Sequence, residues 1–302
     1  MDVSRRVFMA GAAASAGLFG IGLKATAEIS LGAARLTTVS DGNLMLPGDF
    51  IFGDLPMDQV AAIVEPLGVS TKALEPECNV TLLRQGDDVV LFDVGAGGDF
   101  QPSAGSLLDS LGALGVAPEE VTHVVFTHAH PDHLWGLLDD FDDPIFTEAT
   151  FMMGREEWDY WWNPETVNTI GTARQSFAVG AKRRMEVIED AVEFFNDGDE
   201  VLPGVSAIAM VGHTPGHMGF EVRQGNDAAL IVGDAIGNHH LAFARPSWSL
   251  GSDQNPEVAA STRGVILDRL VSEQMAVVGF HLPDGGIGRA EKDGEGYRFV
   301  AG

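Results

Sequence analysis

Cysteine is nearly absent from the sequence, since Cys78 is the single one in 302 residues. One cysteine excludes an internal disulfide, and any metal site in this chain has to rely on nitrogen and oxygen donors. Cys78 opens the apolar run "CNVTLL". This pattern predicts a small buried residue beside or inside a strand.

Basic residues are also scarce, with 18 Lys and Arg against 44 Asp and Glu and a formal net charge of -26. A surface with this charge repels polyanions, so DNA, RNA and anionic membranes are not expected partners. We expect a small-molecule substrate instead. The oligomeric state stays open, with a homodimer among the alternatives.

The only marked apolar stretch is the N-terminal segment of residues 1–27, and it is too weakly hydrophobic to favour a stable membrane span. It opens with "SRRVF", continues through Gly and Ala and ends in the cleavage pattern "ATA". This order predicts an export signal of the twin-arginine type, cleaved near Ala27, with a periplasmic mature protein. Residues 28–302 are then the single catalytic domain. A retained N-terminal anchor is the alternative.

A dinucleotide-binding motif is missing as well, because no G-x-G-x-x-G follows a strand pattern. From about Arg35, short β-branched runs alternate with helical stretches. Strands are predicted in "ARLTTVSDG", "VTHVVFTH", "PIFTEATFMM", "GVSAIAMVGH", "GFEVRQ", "AALIVGD" and "MAVVGFH", and a hairpin in "NVTLLRQGDDVVLFDVG".

Helical patterns separate and close these strands. Helices are predicted in "SAGSLLDSLGALG", with Ser103 as N-cap and Gly115 as stop, and in "GREEWDYWW", "TARQSFAVGAKRRMEVIEDA" and "NPEVAASTRGVILDRLVSE". Two strand-rich halves, each closed by helices, predict an α/β fold in which two sheets pack face to face with helices outside. This arrangement is a four-layer α/β sandwich.

Histidine is concentrated in the segment "THAHPDH", which holds three of the nine histidines of the chain. His128 and His130 are two positions apart on an extended chain, so both can turn towards one point while Ala129 faces away. Asp132 and His133 follow at the turn into a short helix and can address a second point beside the first.

Three later strand patterns each end in a side chain that can bind a metal, namely His213, Asp234 and His281. Strand ends are where sites assemble in α/β proteins. His128, His130 and His213 form a three-nitrogen set of the kind that catalytic zinc uses. The second set is Asp132, His133 and His281, with Asp234 bridging the two.

The predicted cofactors are therefore two divalent metal ions, with zinc first, although these ligands also accept manganese, iron or cobalt. A bridging carboxylate and a bridging hydroxide offset the repulsion between neighbouring cations. The metals lower the pKa of the shared water, which predicts hydrolysis by a metal-bridging hydroxide. Asp132 is the predicted catalytic proton acceptor.

The motifs "THAHPDHLWGL", "GHTPGH", "VGD" and "GFH" resemble, in order and approximate spacing, the metal motifs of the metallo-β-lactamase superfamily. The resemblance covers most of the chain from about Arg35. It implies an αβ/βα sandwich with a dinuclear site, usually zinc, between the sheets, and its ligand roles match the seven residues above.

Within that superfamily, "SDGNLMLP", "EWDYW", "GDAIGN", "FARPSW" and the ending "GFHLPDGGIGRAEKDGEGYRFV" are most similar to an exported branch related to methyl parathion hydrolase and certain quorum-quenching lactonases. Asp284 and Gly285 stand where that branch tends to carry an aromatic-proline pair. This difference predicts an altered pocket wall and argues against an aryl phosphotriester preference.

The sequence also offers candidate supporting and pocket residues. Asp93 is similar to the aspartate of the family that orients a ligand histidine, and His217 is assigned a comparable supporting role. "EWDYWW" places Trp158 and Trp161 on one side of a helix, either packed on the core or forming an apolar lip over the metals. The candidate facing lip is formed by Phe50 and Phe52. His239 and His240 either line the site or form an exposed loop pair.

The sequence thus predicts an exported dinuclear metal hydrolase of a small lactone, carboxylic ester or phosphotriester. Lactones come first, because the candidate pocket residues are apolar and no basic cluster lies near the ligands. The alternatives are a β-lactamase and a glyoxalase II-like thioesterase, which needs cationic residues for a glutathione carboxylate. An iron-dependent persulfide dioxygenase, a diiron electron-transfer protein and a non-enzymatic metal-binding domain are more distant alternatives.

Overall fold

The computed structural model describes residues 27–237 and 239–302. The predicted export signal lies outside these residues except for Ala27, so its type, its cleavage and the domain boundary at residue 28 stay predictions. Within the described ranges, no helix combines the length and apolar composition that crossing a bilayer requires.

The first sheet has seven strands. Numbered along the chain and given in spatial order, they are β1 (Glu28–Leu31), β2 (Ala34–Asn43), β5 (Glu77–Gln85), β6 (Asp88–Phe92), β7 (His123–Phe126), β8 (Thr150–Gly154) and β9 (Glu193–Phe195). The pairs from β1 to β6 are antiparallel, and those from β6 to β9 are parallel. β3 (Leu46–Pro47) and β4 (Ala73–Leu74) form a separate small sheet.

The second sheet also has seven strands, in the order of the chain. They are β10 (Glu200–Leu202), β11 (Val205–Ala209), β12 (Met218–Gln224), β13 (Asp227–Ile231), β14 (Ala276–Val278), β15 (Ile287–Asp293) and β16 (Gly296–Ala301). All neighbours in this sheet are antiparallel except β13 and β14, which are parallel.

Nine α-helices lie in the described residues. They are α1 (Gly48–Phe52), α2 (Met57–Val64), α3 (Leu107–Ala113), α4 (Pro131–Leu134), α5 (Arg155–Trp162), α6 (Thr166–Thr169), α7 (Gln175–Ile188), α8 (His239–Ala244) and α9 (Pro256–Glu273).

The hydrophobic core is divided into layers by the two sheets. On β7, Val125 packs in the core between the sheets, whereas Val124 packs on the other side against the helical layer of α3, α5 and α7. This alternation follows from the two-residue period of a strand. Leu267 of α9 packs against the outer face of the second sheet. The predicted four-layer α/β sandwich is confirmed.

Parallel pairing brings functional residues to one edge of the fold. β6 runs parallel to β7 in the first sheet, and β13 runs parallel to β14 in the second. Asp93 and His128 follow the first pair, and Asp234 and His281 follow the second. Because the carboxyl ends of parallel strands meet at the same edge, the four side chains emerge together.

Two details of the predicted elements are wrong. The helix predicted to begin after Ser103 begins at Leu107, whose backbone N–H donates to Asp41 Oδ1 at 2.8 Å. A distant carboxylate therefore replaces the local cap. In "PIFTEATFMM" the strand begins only at Thr150, because the preceding segment turns through a hydrogen bond from Ala149 N to Phe146 O.

Candidate active site

The first cluster consists of three buried imidazoles, those of His128, His130 and His213. Nε2 of His128 lies 3.1 Å from Nδ1 of His130, and Nε2 of His213 lies 2.8 Å from the same atom. The spacing prediction for His128 and His130 therefore holds, and β11 delivers His213 to the same point.

The second cluster combines imidazoles and carboxylates from three segments. Oδ2 of Asp132 lies 3.4 Å from Nε2 of His133 and 3.1 Å from Nε2 of His281. Oδ1 of Asp234 lies 3.3 Å from Nε2 of His133, and its Oδ2 lies 3.3 Å from Nε2 of His213. Asp234 therefore faces both clusters, and the structure brings together all seven predicted ligands.

These distances fit a pair of small divalent cations. Ligands bonded to zinc at 2.0–2.1 Å in a tetrahedron are about 3.3 Å from one another. Nε2 of His133 and Oδ1 of Asp234 are buried without any hydrogen-bond partner, an arrangement that is unfavourable unless a cation lies between such atoms. The donor set and the spacing therefore fit two metal ions.

Each of the five imidazoles is also held through its other ring nitrogen. Such outer contacts orient a metal-binding histidine and fix its tautomer. The contacts are His128 Nδ1 with Thr127 Oγ1 at 3.0 Å, His133 Nδ1 with Asp93 Oδ2 at 2.8 Å, His213 Nδ1 with Asp253 Oδ1 at 3.1 Å, His281 Nδ1 with Glu77 O at 2.7 Å and His130 Nε2 with Gln254 Nε2 at 3.3 Å.

Asp93 contacts His133, one of the predicted ligand histidines. Its φ is 69°, in the left-handed region that Asp tolerates better than most residues. The carboxylate accepts hydrogen bonds of 2.8 Å from Thr127 N, from Thr127 Oγ1 and from His133 Nδ1. One side chain thus joins the end of β6 to the histidine loop.

His217 contacts the turn that carries Asp234. Its Nε2 accepts a hydrogen bond of 3.0 Å from the backbone N–H of Asp234. Burial, and then the neighbouring His213, lower the pKa of His217 to about 3. A neutral ring keeps Nε2 free to accept, which fixes the turn that carries Asp234.

The histidines of the two clusters differ in their pKa shifts. Burial lowers the pKa of His128 and His130 well below the usual value, so these two rings are neutral. Burial also acts on His133, but the carboxylates of Asp132 and Asp234 outweigh it and raise its pKa. Cation binding to the second cluster must therefore displace protons.

Glu157 is a buried residue that sequence reasoning missed. Oε1 accepts from Ala129 N at 3.0 Å and from Trp161 Nε1 at 2.6 Å, and Oε2 accepts from Thr214 Oγ1 at 2.7 Å and from Gly216 N at 3.0 Å. The available signal was its i,i+4 spacing to Trp161, which places both side chains on the buried face of α5.

Asp253 and Arg263 were also missed. Asp253 is 5% exposed and Arg263 is 0% exposed, and Oδ2 of the first lies 3.4 Å from Nη1 of the second. No local sequence pattern indicated this pair, because Arg263 lies in the middle of α9 and contacts Asp253 only once the chain is folded.

The predicted pocket aromatics have different surroundings. The ring of Trp161 meets that of His130 edge-on at 5.7 Å. Trp158 stacks on Trp162 and packs in the core of the first helical layer, and Phe52 packs in a core beside α2. Phe50 is half-buried, with the Arg174 guanidinium 5.6 Å from its ring centre.

A cavity of 430 Å³ adjoins the second cluster at His281. Apolar side chains of α1, of β4 and of the loop between α2 and β4 form part of its wall, and Glu75 and Glu77 line it as well. His239 and His240 line the same cavity, so the lining alternative holds for them. Burial lowers their pKa values to about 3 and about 4, which leaves both rings neutral.

Cys78 is buried in β5, as predicted, and next to His281. Burial raises the pKa of the thiol to about 11, so it is a neutral thiol.

Residues 75–271, more than half of the chain, match the metallo-beta-lactamase superfamily. The chain belongs to this superfamily, as the motifs predicted. Among curated relatives, an N-acyl homoserine lactonase AttM of Agrobacterium fabrum is 30% identical over 128 residues, which are 41% of this chain and 44% of the relative. Metallo-beta-lactamase domain-containing protein 1 of Xenopus laevis is 31% identical over 196 residues, 63% of this chain and 65% of the relative.

These alignments thus span about half to two thirds of the length of the curated relatives. Two solved structures agree in fold over nearly the whole chain. AidC, described as a dizinc quorum-quenching lactonase, has a TM-score of 0.87 at 21% identity, and AbOPH, described as a hydrolase in the beta lactamase superfamily, has a TM-score of 0.85 at 26% identity. Each comparison covers 93% of this chain and 98% of the other.

Proposed function

We propose that this protein is a metal-dependent hydrolase that opens a small neutral lactone with the help of two divalent cations, zinc first. The observation that carries the proposal is the shared carboxylate of Asp234, with one oxygen 3.3 Å from His133 and the other 3.3 Å from His213. The proposed ligands are His128, His130 and His213 for one cation and Asp132, His133 and His281 for the other, with Asp234 between them.

When bound, the two cations would supply an activated water and positive charge that stabilises an oxyanion. The residues of the chain supply orientation and proton transfer. His133 holds the pKa of Asp132 well below its usual value despite burial, so its carboxylate is ionised and can accept a proton from the attacking water. The shared position of Asp234 favours a two-cation site over the single iron of a persulfide dioxygenase.

The charge of the cavity argues for a neutral substrate. Glu75 and Glu77 line it, and no Lys or Arg is among its described lining residues. A glutathione thioester or a β-lactam carries a carboxylate that these groups would repel. The apolar part of the wall suits an acyl chain, and the lactonases among the relatives support a lactone as the electrophile.

The test is a substrate panel with the zinc-loaded protein. It compares kcat/KM for an N-acyl homoserine lactone, an open carboxylic ester, an aryl phosphotriester, a β-lactam and a glutathione thioester. We expect the lactone to exceed each other class by at least about tenfold, or about 1.4 kcal/mol in the transition state. Asp132→Asn should lose this activity, whereas His123→Asn, a histidine on β7 outside both clusters, should keep it. A preference for the thioester or the β-lactam would refute the proposal.

Export is a separate part of the proposal. If residues 1–27 are a twin-arginine signal, the protein should appear in the periplasmic fraction of its host, and the double variant Arg5→Lys with Arg6→Lys should stay in the cytoplasm. An unchanged distribution of that variant would contradict this assignment.

A further inference from the structure

The segment of residues 251–255, between α8 and α9, lies across the three-histidine cluster. The backbone N–H of Gln254 donates to His213 O at 3.0 Å, and that of Asn255 donates to Gly212 O at 2.9 Å. These two backbone hydrogen bonds fix the segment to the loop that carries His213.

Asp253 connects this segment to His213. Its Oδ1 lies 3.1 Å from His213 Nδ1, and its Oδ2 lies 3.4 Å from Nη1 of Arg263. The arginine is fixed in turn, because it also donates to Pro246 O at 3.1 Å and to Trp248 O at 2.9 Å. A carboxylate at Nδ1 keeps the proton there and leaves the Nε2 lone pair of His213 facing the cluster.

Gln254 acts on the neighbouring ligand. Its amide lies 3.3 Å from Nε2 of His130 and accepts from the Tyr160 hydroxyl at 2.8 Å. A cation on Nδ1 of His130 places the ring proton on Nε2, which then needs an acceptor. Turning the amide by 180° satisfies this need, because Oε1 then accepts from His130 and the amide nitrogen donates to the Tyr160 oxygen.

The second cluster is held by other segments. His133 rests on Asp93, and His281 rests on the carbonyl of Glu77. Residues 253 and 254 therefore contact two ligands of one cluster and hold no ring nitrogen of the other.

We propose that Asp253, held by Arg263, and Gln254 are positioning residues that set the cation affinity of the three-histidine site selectively. This inference rests on the proposed ligand assignment, but not on the identity of the substrate. It makes the two cation sites unequal, with one controlled by the segment before α9.

The test is a titration of the metal-free full chain with zinc and with cobalt(II). Calorimetry monitors the binding of both metals, and the visible spectrum monitors the binding of cobalt. We expect Asp253→Asn and Gln254→Met to weaken one of two binding steps by about 10- to 100-fold and to leave the other unchanged. Asp93→Asn should weaken mainly the opposite step, because Asp93 contacts His133 directly and His128 only through Thr127. Glu257→Gln, an exposed carboxylate in the first turn of α9, is the matched control and should change neither.

Equal weakening of both steps, or no change in either, would overturn the inference. Gln254→Met retains the Asp253–Arg263 pair, so the test holds even if Asp253→Asn fails to fold. A wild-type protein that binds two cations but hydrolyses none of the panel would refute the proposed function and leave this inference standing. A wild-type protein that binds no cation would refute both.

Discussion

Glu157 joins the two loops that carry the three-histidine cluster. It accepts from Ala129, which lies between His128 and His130, and from Thr214, which follows His213. Burial raises the pKa of this carboxyl. All four of its partners are donors, however, so we assign the ionised form.

Glu157→Gln should weaken both the fold and the site. The amide offers one acceptor oxygen instead of two and turns an NH2 group towards buried donors. We expect a loss of about 3 kcal/mol in the free energy of unfolding, because buried hydrogen bonds to charged groups contribute about 1.5–3 kcal/mol each. Urea denaturation measures this loss of stability. The control is Glu156→Gln, a change at an exposed neighbour on α5 that should have little effect. Equal stability of the two variants would contradict the role of Glu157.

His239 and His240 should make the protein less stable in acid. Their pKa values in the folded state, about 3 and about 4, lie below the ordinary value of 6.5. The unfolded chain therefore binds protons that the folded chain does not. The stability from these neutral rings is present above about pH 6.5 and is lost as the pH falls towards about 4.

A double variant, His239→Gln with His240→Gln, should lose less stability than the wild type between about pH 7 and about pH 5. The measurement is the free energy of unfolding in urea with a chelator present, so that the ligand histidines contribute alike in both proteins. Parallel pH slopes would contradict the burial of these two rings.

At this scale the sequence identified residues whose chemistry is local and missed those whose contacts are distant. His128, His130 and the side chains that end strands were found from spacing and position. The sequence missed Glu157, Asp253 and Arg263 because each contacts residues that are distant in the chain. Their charge also gave no local sign that these side chains are buried.

Among the elements, the helices α3, α5, α7 and α9 were predicted, whereas α1, α2, α6 and α8 were not, and the predicted start of α3 was wrong. The start of α3 is set by the carboxylate of Asp41, which also accepts from Ala96 N at 2.8 Å. A cap supplied across 66 residues cannot be recognised by a pattern that considers only the preceding residues. The hairpin of β5 and β6, whose turn is local, was predicted correctly.

At Gly180 of α7, close packing against the segment after α4 should outweigh the gain in helix propensity that alanine would bring. A Cβ added at Gly180 would lie 2.2 Å from Cζ2 of Trp135, whose ring is covered by Arg184. Gly180→Ala should therefore destabilise the protein by about 1–3 kcal/mol through overpacking. Thermal unfolding measures the change.

Gly264, in the middle of α9, is the matched control, because an added Cβ there meets nothing within 4 Å. Gly264→Ala should stabilise the protein by about 0.5–1 kcal/mol, since Ala is the better helix former. If both substitutions shift the melting temperature in the same direction, the close contact between Gly180 and Trp135 is not what limits that position.

For the whole molecule, alternating strands and helices were sufficient to predict the layers. The order of strands within each sheet was not predictable, because it depends on which long-range pairings bury the most apolar surface. The site followed from the layers, since the ends of parallel strands in the two sheets meet at one edge.

The net charge of -26 also acts on the whole molecule. Repulsion among like charges opposes the compact state, and salt shortens its range from about 10 Å at 0.1 M to about 3 Å at 1 M. The melting temperature should therefore rise between about 0.1 M and about 1 M sodium chloride. A fall would mean that surface ion pairs, such as Arg298 with Glu291, dominate instead.

The most direct measurement of the proposed metal centre is the number of divalent cations per chain, determined by mass spectrometry of metals in the zinc-loaded protein after gel filtration. Two are expected in the wild type. One is expected in His213→Ala, which lacks a ligand of the first cluster, and one in His281→Ala, which lacks a ligand of the second. The proposed two-cation centre would be contradicted if the wild-type chain retained no zinc or manganese. It would also be contradicted if both variants still retained two cations each.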